Sequence, residues 1–180
     1  LMDDSLYVRP AALRGLLEAG ITLPCFANEH IFNYGITGIQ STLNLLNEYG
    51  MDYLGITADS TQPYYRTITG AADATDPSAR AYTVSVLGIN DIIRSHSTVR
   101  EDRPGVINST VPSIYETVYL LSQSSDQVVI YLHFGESNSG IITEDQRELA
   151  HMLIDAGADI IVGSHSHMVQ PVERYADGLI

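Results

Sequence analysis

Apolar and polar positions along the chain form blocks that predict strands alternating with helices. Residues 128–132 form a continuous apolar run rich in β-branched side chains, and residues 158–162 form a second run that is apolar apart from Asp159. Such runs are typical of strands buried on both faces of a parallel sheet. Thr143 and Gln146 form a capping-box pattern between the runs, and Gly157 is a helix stop signal. Apolar side chains between them recur at i, i+3, i+4 and i+7 and predict a core face: Leu149, Met152, Leu153 and Ala156. The segment is therefore predicted to be a β-α-β unit.

The rest of the chain predicts further helices and strands. Helices are expected over residues 9–20, 37–49 and 112–123. Strands are expected over residues 21–27, 51–56, 64–69 and 82–89. Pro24 removes a hydrogen-bond donor from the first strand, which is therefore expected at an edge or a bulge. Thr37 and Gln40 form a capping-box pattern. The predicted core face of that helix is Ile36, Ile39, Leu43 and Leu46. This alternation predicts an α/β fold.

Length and composition indicate one globular domain over residues 1–180, with 44% hydrophobic and 17% charged residues. Residues 70–81 and 90–111 show no clean period and are predicted to be insertion loops. No apolar run approaches the length of a membrane span. Cys25 is the only cysteine, so an intrachain disulfide is excluded.

The charge balance is acidic, with 22 Asp and Glu against 9 Lys and Arg. A nucleic-acid partner is not expected, because phosphate neutralisation needs clustered basic residues. An anionic substrate would need another source of positive charge, and a bound metal ion is the obvious one. The loop over 90–111 is either an anion-facing lid or a solvated loop, and it holds much of the basic charge: Arg94, His96, Arg100 and Arg103.

Three histidines lie at the predicted ends of the two buried strands. His133 follows the first run, and His165 and His167 follow the second. The carboxyl ends of parallel strands share one edge of the sheet, where α/β proteins place their sites. Side chains two residues apart on an extended backbone point the same way, so His165 and His167 could reach one centre. A single histidine is more often a packed residue than a ligand, but this cluster predicts a site for zinc, iron, manganese or nickel.

A second polar cluster follows the strand predicted over 21–27. Residues 27–35 read Ala-Asn-Glu-His-Ile-Phe-Asn-Tyr-Gly. Asparagine favours turns and caps, so one interpretation is a capping loop. The other interpretation is a contribution to the site, because the cluster lies at the carboxyl end of a predicted strand.

Four segments, in this order and spacing, resemble the CapA family of poly-γ-glutamate capsule biosynthesis proteins. They are residues 27–35, Leu-His-Phe-Gly at 132–135, the helix and turn over 144–159, and Gly-Ser-His-Ser-His at 163–167 with Val-Gln-Pro at 169–171. That family belongs to the calcineurin-like metallophosphatase superfamily. The resemblance therefore implies a metallophosphatase-like α/β/β/α sandwich. It is expected here as a partial domain, because the family's first and last strands align outside residues 1–180.

The resemblance also implies roles for individual residues. His30 corresponds to the catalytic general acid. Four residues correspond to metal ligands: Glu29, His133, His165 and His167. Three residues are expected to contact substrate: Asn28, Asn33 and Glu136. The implied cofactors are divalent metal ions, two in the parent protein, with manganese, iron or zinc as the candidates.

The sequence departs from the family pattern at four positions, which are Glu29 for Asn, Asn33 for Asp, Ser137 for Glu and Ser166 for Pro. Two acidic groups that would help to orient the histidines are thereby replaced. The 180-residue chain is expected to bind at most one metal ion at partial occupancy and to show little phosphatase activity. The parent protein is expected to bind more.

The implied function is synthesis or export of poly-γ-glutamate or a related capsular polymer, with a metal-dependent phosphoesterase-type site. The implied substrate is an anionic polymer or a phosphoester, and the implied partners are other capsule synthesis and export components of the membrane. The implied location is the extracellular face of a bacterial cell membrane, or outside the cell. Two alternatives stay open: a general metal-dependent phosphoesterase, and a non-catalytic binding or assembly module with a degenerate metal site.

Overall fold

A computed structural model of the chain describes residues 6–61, 64–72, 75–76, 78–92 and 97–180. The helices are α1 (Ala11–Glu18), α2 (Gly35–Glu48), α3 (Ile114–Ser122) and α4 (Glu144–Asp155). The strands are β1 (Ile56–Thr57), β2 (Tyr65–Gly70), β3 (Tyr82–Asn90), β4 (Gly105–Val106), β5 (Gln127–His133), β6 (Ile160–Ser164), β7 (Arg174–Tyr175) and β8 (Gly178–Leu179). The predicted α/β class is confirmed. Among the helices of these described residues, none is both long and apolar enough to span a membrane.

The central sheet of the described residues has six strands in the order β2-β3-β5-β6-β8-β7. β3, β5, β6 and β8 run parallel, and the antiparallel strands β2 and β7 form the edges. β5, α4 and β6 form the predicted β-α-β unit, so the carboxyl ends of β5 and β6 lie side by side. β1 and β4 form a separate antiparallel pair.

One face of the central sheet packs against α3 and α4 and forms the main hydrophobic core. Leu87, Ile130 and Leu132 supply the sheet side of this core, and each is 0% exposed. Val118 of α3 and Leu153 of α4 meet them from the helix side and are equally buried. Burial of one such side chain stabilises the fold by roughly 1.5–3 kcal/mol. The core therefore holds β5, α4 and β6 as one unit.

Helix α4 begins with the predicted capping box, in which the Gln146 N–H donates to Thr143 Oγ1 (3.2 Å) and the Thr143 N–H donates to Gln146 Oε1 (3.1 Å). The predicted core face is wrong at Met152, which is 48% exposed. The buried residues follow a different stripe: Gln146, Leu149, Ala150, Leu153 and Ile154. Apolar periodicity missed this stripe because it includes a polar residue, whose side chain is satisfied by Thr143 and Gln170.

Helix α2 packs in a second, smaller core through Ile39, Leu43 and Leu46. The predicted capping box at Thr37 is wrong, because turns over residues 30–34 lead directly into a helix that begins at Gly35. Thr37 thus lies inside the first turn rather than before it. Ile36 is 42% exposed and is not a core residue, contrary to the prediction.

The strand predicted over 21–27 is wrong, because this segment forms an isolated parallel bridge between Cys25 and Leu54. The Phe26 N–H donates to the Leu54 carbonyl (2.9 Å), and the Leu54 N–H donates to the Pro24 carbonyl (3.0 Å). Pro24 has no N–H, so it cannot donate to extend the ladder towards residue 21. The strand predicted over 51–56 is also shorter than expected, since β1 covers only Ile56–Thr57.

The opposite face of the central sheet meets the second core at Gly88. A Cβ at this position would lie 2.6 Å from Cys25 Sγ and 3.0 Å from the Gly55 nitrogen, so glycine allows the two layers to approach closely. Away from this contact, large apolar side chains on the same face are partly exposed. They are Ile68 (50% exposed), Tyr131 (41%) and Val162 (39%). The run over 128–132 is therefore buried on one face and half-exposed on the other, not buried on both as predicted.

Residues 97–111 are tied to the central sheet through Asn90. Asn90 Nδ2 donates to Asn108 Oδ1 (2.9 Å), and both residues are 0% exposed. Arg103 donates to a backbone carbonyl within this segment (3.3 Å). Two basic residues of the loop predicted over 90–111, Arg94 and His96, lie outside the described residues.

Candidate metal centre

The histidine-bearing strands end side by side at the carboxyl edge of the central sheet. His133 is the last residue of β5 and Ser164 is the last residue of β6, and the two are Cα partners in the parallel register. His165 follows directly, and its ring centroid lies 4.8 Å from that of His133. The register of two strands thus sets the spacing of these two imidazoles.

Glu29 approaches the same edge from the turn that follows the Cys25 bridge. Asn28 Oδ1 accepts hydrogen bonds from the backbone N–H groups of His30 (2.9 Å) and Ile31 (3.1 Å). Asparagine side chains favour such turns, because they replace a backbone acceptor. Glu29 is 9% exposed within this turn, so its carboxylate lies inside the site rather than in solvent.

Glu29, His133 and His165 each offer one metal-ligating atom, and these atoms all lie within 4.8 Å of one another. Glu29 Oε2 lies 2.5 Å from His133 Nε2. Glu29 Oε1 lies 3.2 Å from His165 Nδ1 and 3.4 Å from His30 Nε2. A carboxylate oxygen and two imidazole nitrogens are donors that zinc and related metals take, and they leave coordination positions open.

The charge of this group suits a cation. Burial raises the pKa of the Glu29 carboxyl, but hydrogen bonds from its own N–H and from His133, with the nearby imidazoles, hold that pKa below its ordinary value. Burial lowers the pKa of His133 and outweighs the opposite effect of Glu29. At neutral pH the carboxylate is therefore ionised and His133 is neutral. These are the protonation states that metal ligation requires.

The surroundings of the His165 ring fit those of a metal ligand. Its Nδ1 is buried and makes no hydrogen bond, although it lies within ion-pair distance of Glu29 Oε1. A buried polar atom left without a partner costs about 1–3 kcal/mol. His165 also has a φ of +90°, a left-handed conformation that histidine seldom adopts. An unsatisfied nitrogen held this way beside a carboxylate fits a metal ligand better than a packed histidine.

His167 lies beside this group rather than in it. Its ring centroid is 6.2 Å from that of His165, and the residue is exposed. The expectation that both rings point the same way assumed an extended backbone. That assumption is wrong, because β6 ends at Ser164 and His167 has a φ of +54°.

His30 and Asn33 lie on the same turn as Glu29. The His30 side chain is 37% exposed, and its Nδ1 lies 3.3 Å from Asn33 Nδ2. Among the other predicted substrate contacts, Asn28 supports the turn, whereas Glu136 is exposed on the loop after β5. The structure therefore brings together the residues of the Glu29 turn and the two strand-end histidines, and it leaves Glu136 apart.

Sequence patterns did not single out Ser164, although its hydroxyl contacts His133. Ser164 Oγ lies 3.0 Å from His133 Nδ1 and 3.5 Å from the Leu132 carbonyl oxygen. Serine is common in all parts of proteins, so its identity carries no signal. Its position does, because aligning the carboxyl ends of the two predicted strands pairs residue 164 with residue 133.

The amino-acid sequence of the chain is similar to those of bacterial capsule synthesis proteins. A family model described as bacterial capsule synthesis protein PGA_cap matches residues 5–180. The chain is similar to the capsule biosynthesis protein CapA of Bacillus anthracis, with 28% identity over 97% of this chain and 42% of that protein. It is also similar to the PGA biosynthesis protein CapA of Bacillus subtilis strain 168, with 26% identity over 94% of this chain and 43% of that protein. The chain thus spans less than half the length of these relatives.

Proposed function

Because the chain belongs to the PGA_cap family of bacterial capsule synthesis proteins, we propose that it acts in the synthesis or export of a capsular polymer. The names of its relatives refer to capsule and PGA biosynthesis, which supports poly-γ-glutamate or a related anionic polymer. The finer part of the proposal is a site that binds a divalent metal ion and acts on a phosphoester or a similar oxyanion.

The observation that carries the metal site is the convergence of Glu29, His133 and His165. An ionised carboxylate and two imidazoles form a donor set that manganese, iron and zinc all accept. The buried Nδ1 of His165 gains a partner if it ligates a cation. The group supports one ion. A second ion, as expected for the parent protein, needs ligands beyond this one group among the described residues.

When bound, a divalent metal ion would polarise a phosphoryl oxygen and lower the pKa of a coordinated water. The residues of the chain have separate tasks around it. Glu29, His133 and His165 hold the ion. His30 is the proton donor to a leaving group, because it lies 3.4 Å from Glu29 and is exposed enough to meet a substrate. The Asn33 amide donates to His30 Nδ1, which leaves Nε2 as the nitrogen that carries the proton.

Calorimetric titration of the purified chain with zinc or manganese tests the metal site. The expected result is weak binding of about one ion per chain, lost in Glu29→Gln and in His165→Ala. His151→Ala is a matched control, since His151 is a partly buried histidine that bonds to Glu173 outside the group. Two tight sites that are lost together in His165→Ala would contradict the proposed stoichiometry.

Hydrolysis of a chromogenic phosphate ester separates the proposal from its alternatives. We expect little turnover by this chain, and chelator should abolish what there is. Rapid, chelator-sensitive turnover would favour a general metal-dependent phosphoesterase. An intact fold that binds no metal would favour a non-catalytic binding or assembly module, which the departures at Glu29, Asn33 and Ser137 would suit.

The proposal extends to the parent protein's surroundings. We propose that it works with other capsule synthesis and export components of the membrane, at the extracellular face of a bacterial cell membrane or outside the cell. Family membership supports this placement. Fractionation of cells that produce the parent protein tests it, and recovery in the cytoplasm would contradict it.

A further inference from the structure

We propose that Ser164 is the positioning residue of His133, and that its hydroxyl allows the imidazole to exchange its hydrogen bond with Glu29 for a bond to a metal ion. The proposal rests on the proposed metal site and deepens it. It concerns the protonated nitrogen of His133, because only a nitrogen with a free lone pair can ligate.

Both nitrogens of the His133 ring have a partner. Nε2 lies 2.5 Å from Glu29 Oε2, and Nδ1 lies 3.0 Å from Ser164 Oγ. The His133 side chain is only 15% exposed, so water cannot easily replace either partner. Ser164 can hold its position because the β5 and β6 register places it opposite His133. The ring is therefore oriented from two sides, by one residue on a turn and one on a strand.

Without a cation, the hydrogen bond between Nε2 and the ionised Glu29 carboxylate requires the ring proton on Nε2. Nδ1 then carries a lone pair and can only accept. A serine hydroxyl can donate to it. In this state Ser164 Oγ–H points at His133, and the carboxylate is satisfied by the imidazole.

With a cation between Glu29 and His165, Nε2 must offer its lone pair, so the ring proton has to be on Nδ1. One proton leaves Nε2 to water and one is taken from water at Nδ1, and His133 stays neutral throughout. The Ser164 hydroxyl can now accept from Nδ1–H and turn its own hydrogen towards the Leu132 carbonyl, 3.5 Å away. The contact between Nδ1 and Ser164 Oγ is kept in both states, so Ser164 does not have to move.

A hydroxyl suits this exchange because it both donates and accepts. A carboxylate or a carbonyl in the same place could only accept, and would hold the proton on Nδ1 at all times. An alanine could do neither, and would leave Nδ1–H buried without a partner in the metal-bound state. With serine at position 164, His133 Nδ1 therefore keeps a hydrogen-bond partner both with and without the metal ion.

Nitrogen-15 NMR of the imidazoles in the metal-free chain tests the first state. We expect the protonated nitrogen of His133 to be Nε2, and we expect the Nδ1 resonance to shift in Ser164→Ala but to keep its position in Ser164→Thr, which retains the hydroxyl. Ser85→Ala is the matched control. Ser85 is a buried sheet serine whose hydroxyl bonds to Ser125 and Thr67 and not to a histidine. An Nδ1 resonance unchanged by Ser164→Ala in a folded chain would overturn the proposal, whether or not any metal binds.

Zinc titration of the same four proteins tests the second state. On zinc binding we expect the His133 proton to appear on Nδ1 in the wild type. Ser164→Ala should weaken zinc binding by roughly tenfold or more, as is typical when a ligand loses its hydrogen-bond partner, and Ser164→Thr should restore it. Ser85→Ala should bind zinc as the wild type does. Equal zinc affinity of wild type and Ser164→Ala would overturn the proposal, whereas absence of zinc binding in all four would overturn the metal site and leave the metal-free spectra to decide the role of Ser164.

Discussion

The two halves of the candidate site are built differently. His133 and His165 lie at the ends of β5 and β6, which α4 joins and which the main core buries on one face. Glu29 lies on a turn, and the segment before it meets its neighbour through the isolated bridge between Cys25 and Leu54. The first half is therefore fixed by a sheet, and the second by a turn and the smaller core.

Because of this difference, we expect the stability of the fold and the affinity for a metal ion to depend on different parts of the chain. Most of the large buried side chains belong to the core under the histidine strands, so unfolding should respond mainly to changes there. Cys25, which lies against Gly88, is four residues before Glu29, so we expect the distance between Glu29 and the histidines to depend on how closely the two layers approach there. We therefore expect metal binding to respond most to changes in the Glu29 half.

The largest effect on stability is expected from Leu153→Ala in α4. Leu153 is 0% exposed in the main core, and the cavity should lower the free energy of unfolding by about 2–5 kcal/mol. Met152→Ala on the same helix is the control, because Met152 is 48% exposed and should change stability by about 0.5 kcal/mol or less. Urea unfolding measures both. Equal midpoints for the two variants would remove Leu153 from the core.

Gly88→Ala should disturb the contact between the halves. The new Cβ would meet Cys25 Sγ at 2.6 Å and the Gly55 backbone at 3.0 Å, so the layers must separate. This should lower the free energy of unfolding by about 1–3 kcal/mol. We also expect weaker zinc binding, because Glu29 moves away from the histidines.

Gly15→Ala is the matched control for this change. Nothing lies within 4 Å of a Cβ at Gly15, which is inside α1, so alanine should stabilise the chain by about 0.5–1 kcal/mol. Calorimetry and urea unfolding report both quantities. Unchanged zinc affinity in Gly88→Ala would show that Glu29 is not positioned by this contact.

Asn28→Ala should act on the Glu29 turn alone. It removes the acceptor of the His30 and Ile31 N–H groups, which should lower stability by about 1 kcal/mol and weaken zinc binding. Asn28→Asp keeps an acceptor oxygen at the same place and should preserve the turn. A loss of zinc binding equal in both variants would mean that Asn28 acts by some route other than the turn.

The smallest effect is expected far from the site, at the amino end of β5. Asp126 accepts hydrogen bonds from Arg80 and from the Thr83 N–H, and the contact with Arg80 lowers the pKa of its carboxyl from 3.8 to about 2. Since the folded value lies below the unfolded one, the ionised group stabilises the fold above about pH 4 and this contribution is lost as the pH falls towards 2. Asp126→Asn should therefore lower the urea midpoint at pH 7 and less so at pH 3. A difference between the two proteins that grows towards pH 3 would reverse the assigned sign.

The histidine half could be predicted from the sequence because its signals are local. The β-branched runs, the Thr143 capping box and Gly157 each specify structure within a few residues, and β5, α4 and β6 confirm them. The sequence predicts Met152 on the core face of α4, which is wrong. Gln146 lies on the buried face instead, where it is hydrogen-bonded to Thr143, but a glutamine in a sequence indicates a surface position.

The Glu29 half was predicted less well because long-range contacts decide it. Residues 21–27 have strand-like composition, but Pro24 leaves them with a single bridge. The candidate residues Glu29, His30, His133 and His165 could be chosen from resemblance and from strand ends. Ser164 could not, since its role appears only when two strands are aligned, and the placement of His167 depended on backbone angles that residue types do not reveal.

X-ray data from crystals of the chain grown with zinc, collected at the zinc absorption edge, test whether Glu29, His133 and His165 together hold a metal ion. We expect one anomalous peak per chain, about 2.0–2.2 Å from a Glu29 oxygen, from His133 Nε2 and from a His165 nitrogen. A peak at His151 and Glu173 instead, or no peak at the Glu29 group in a folded chain at saturating zinc, would contradict it.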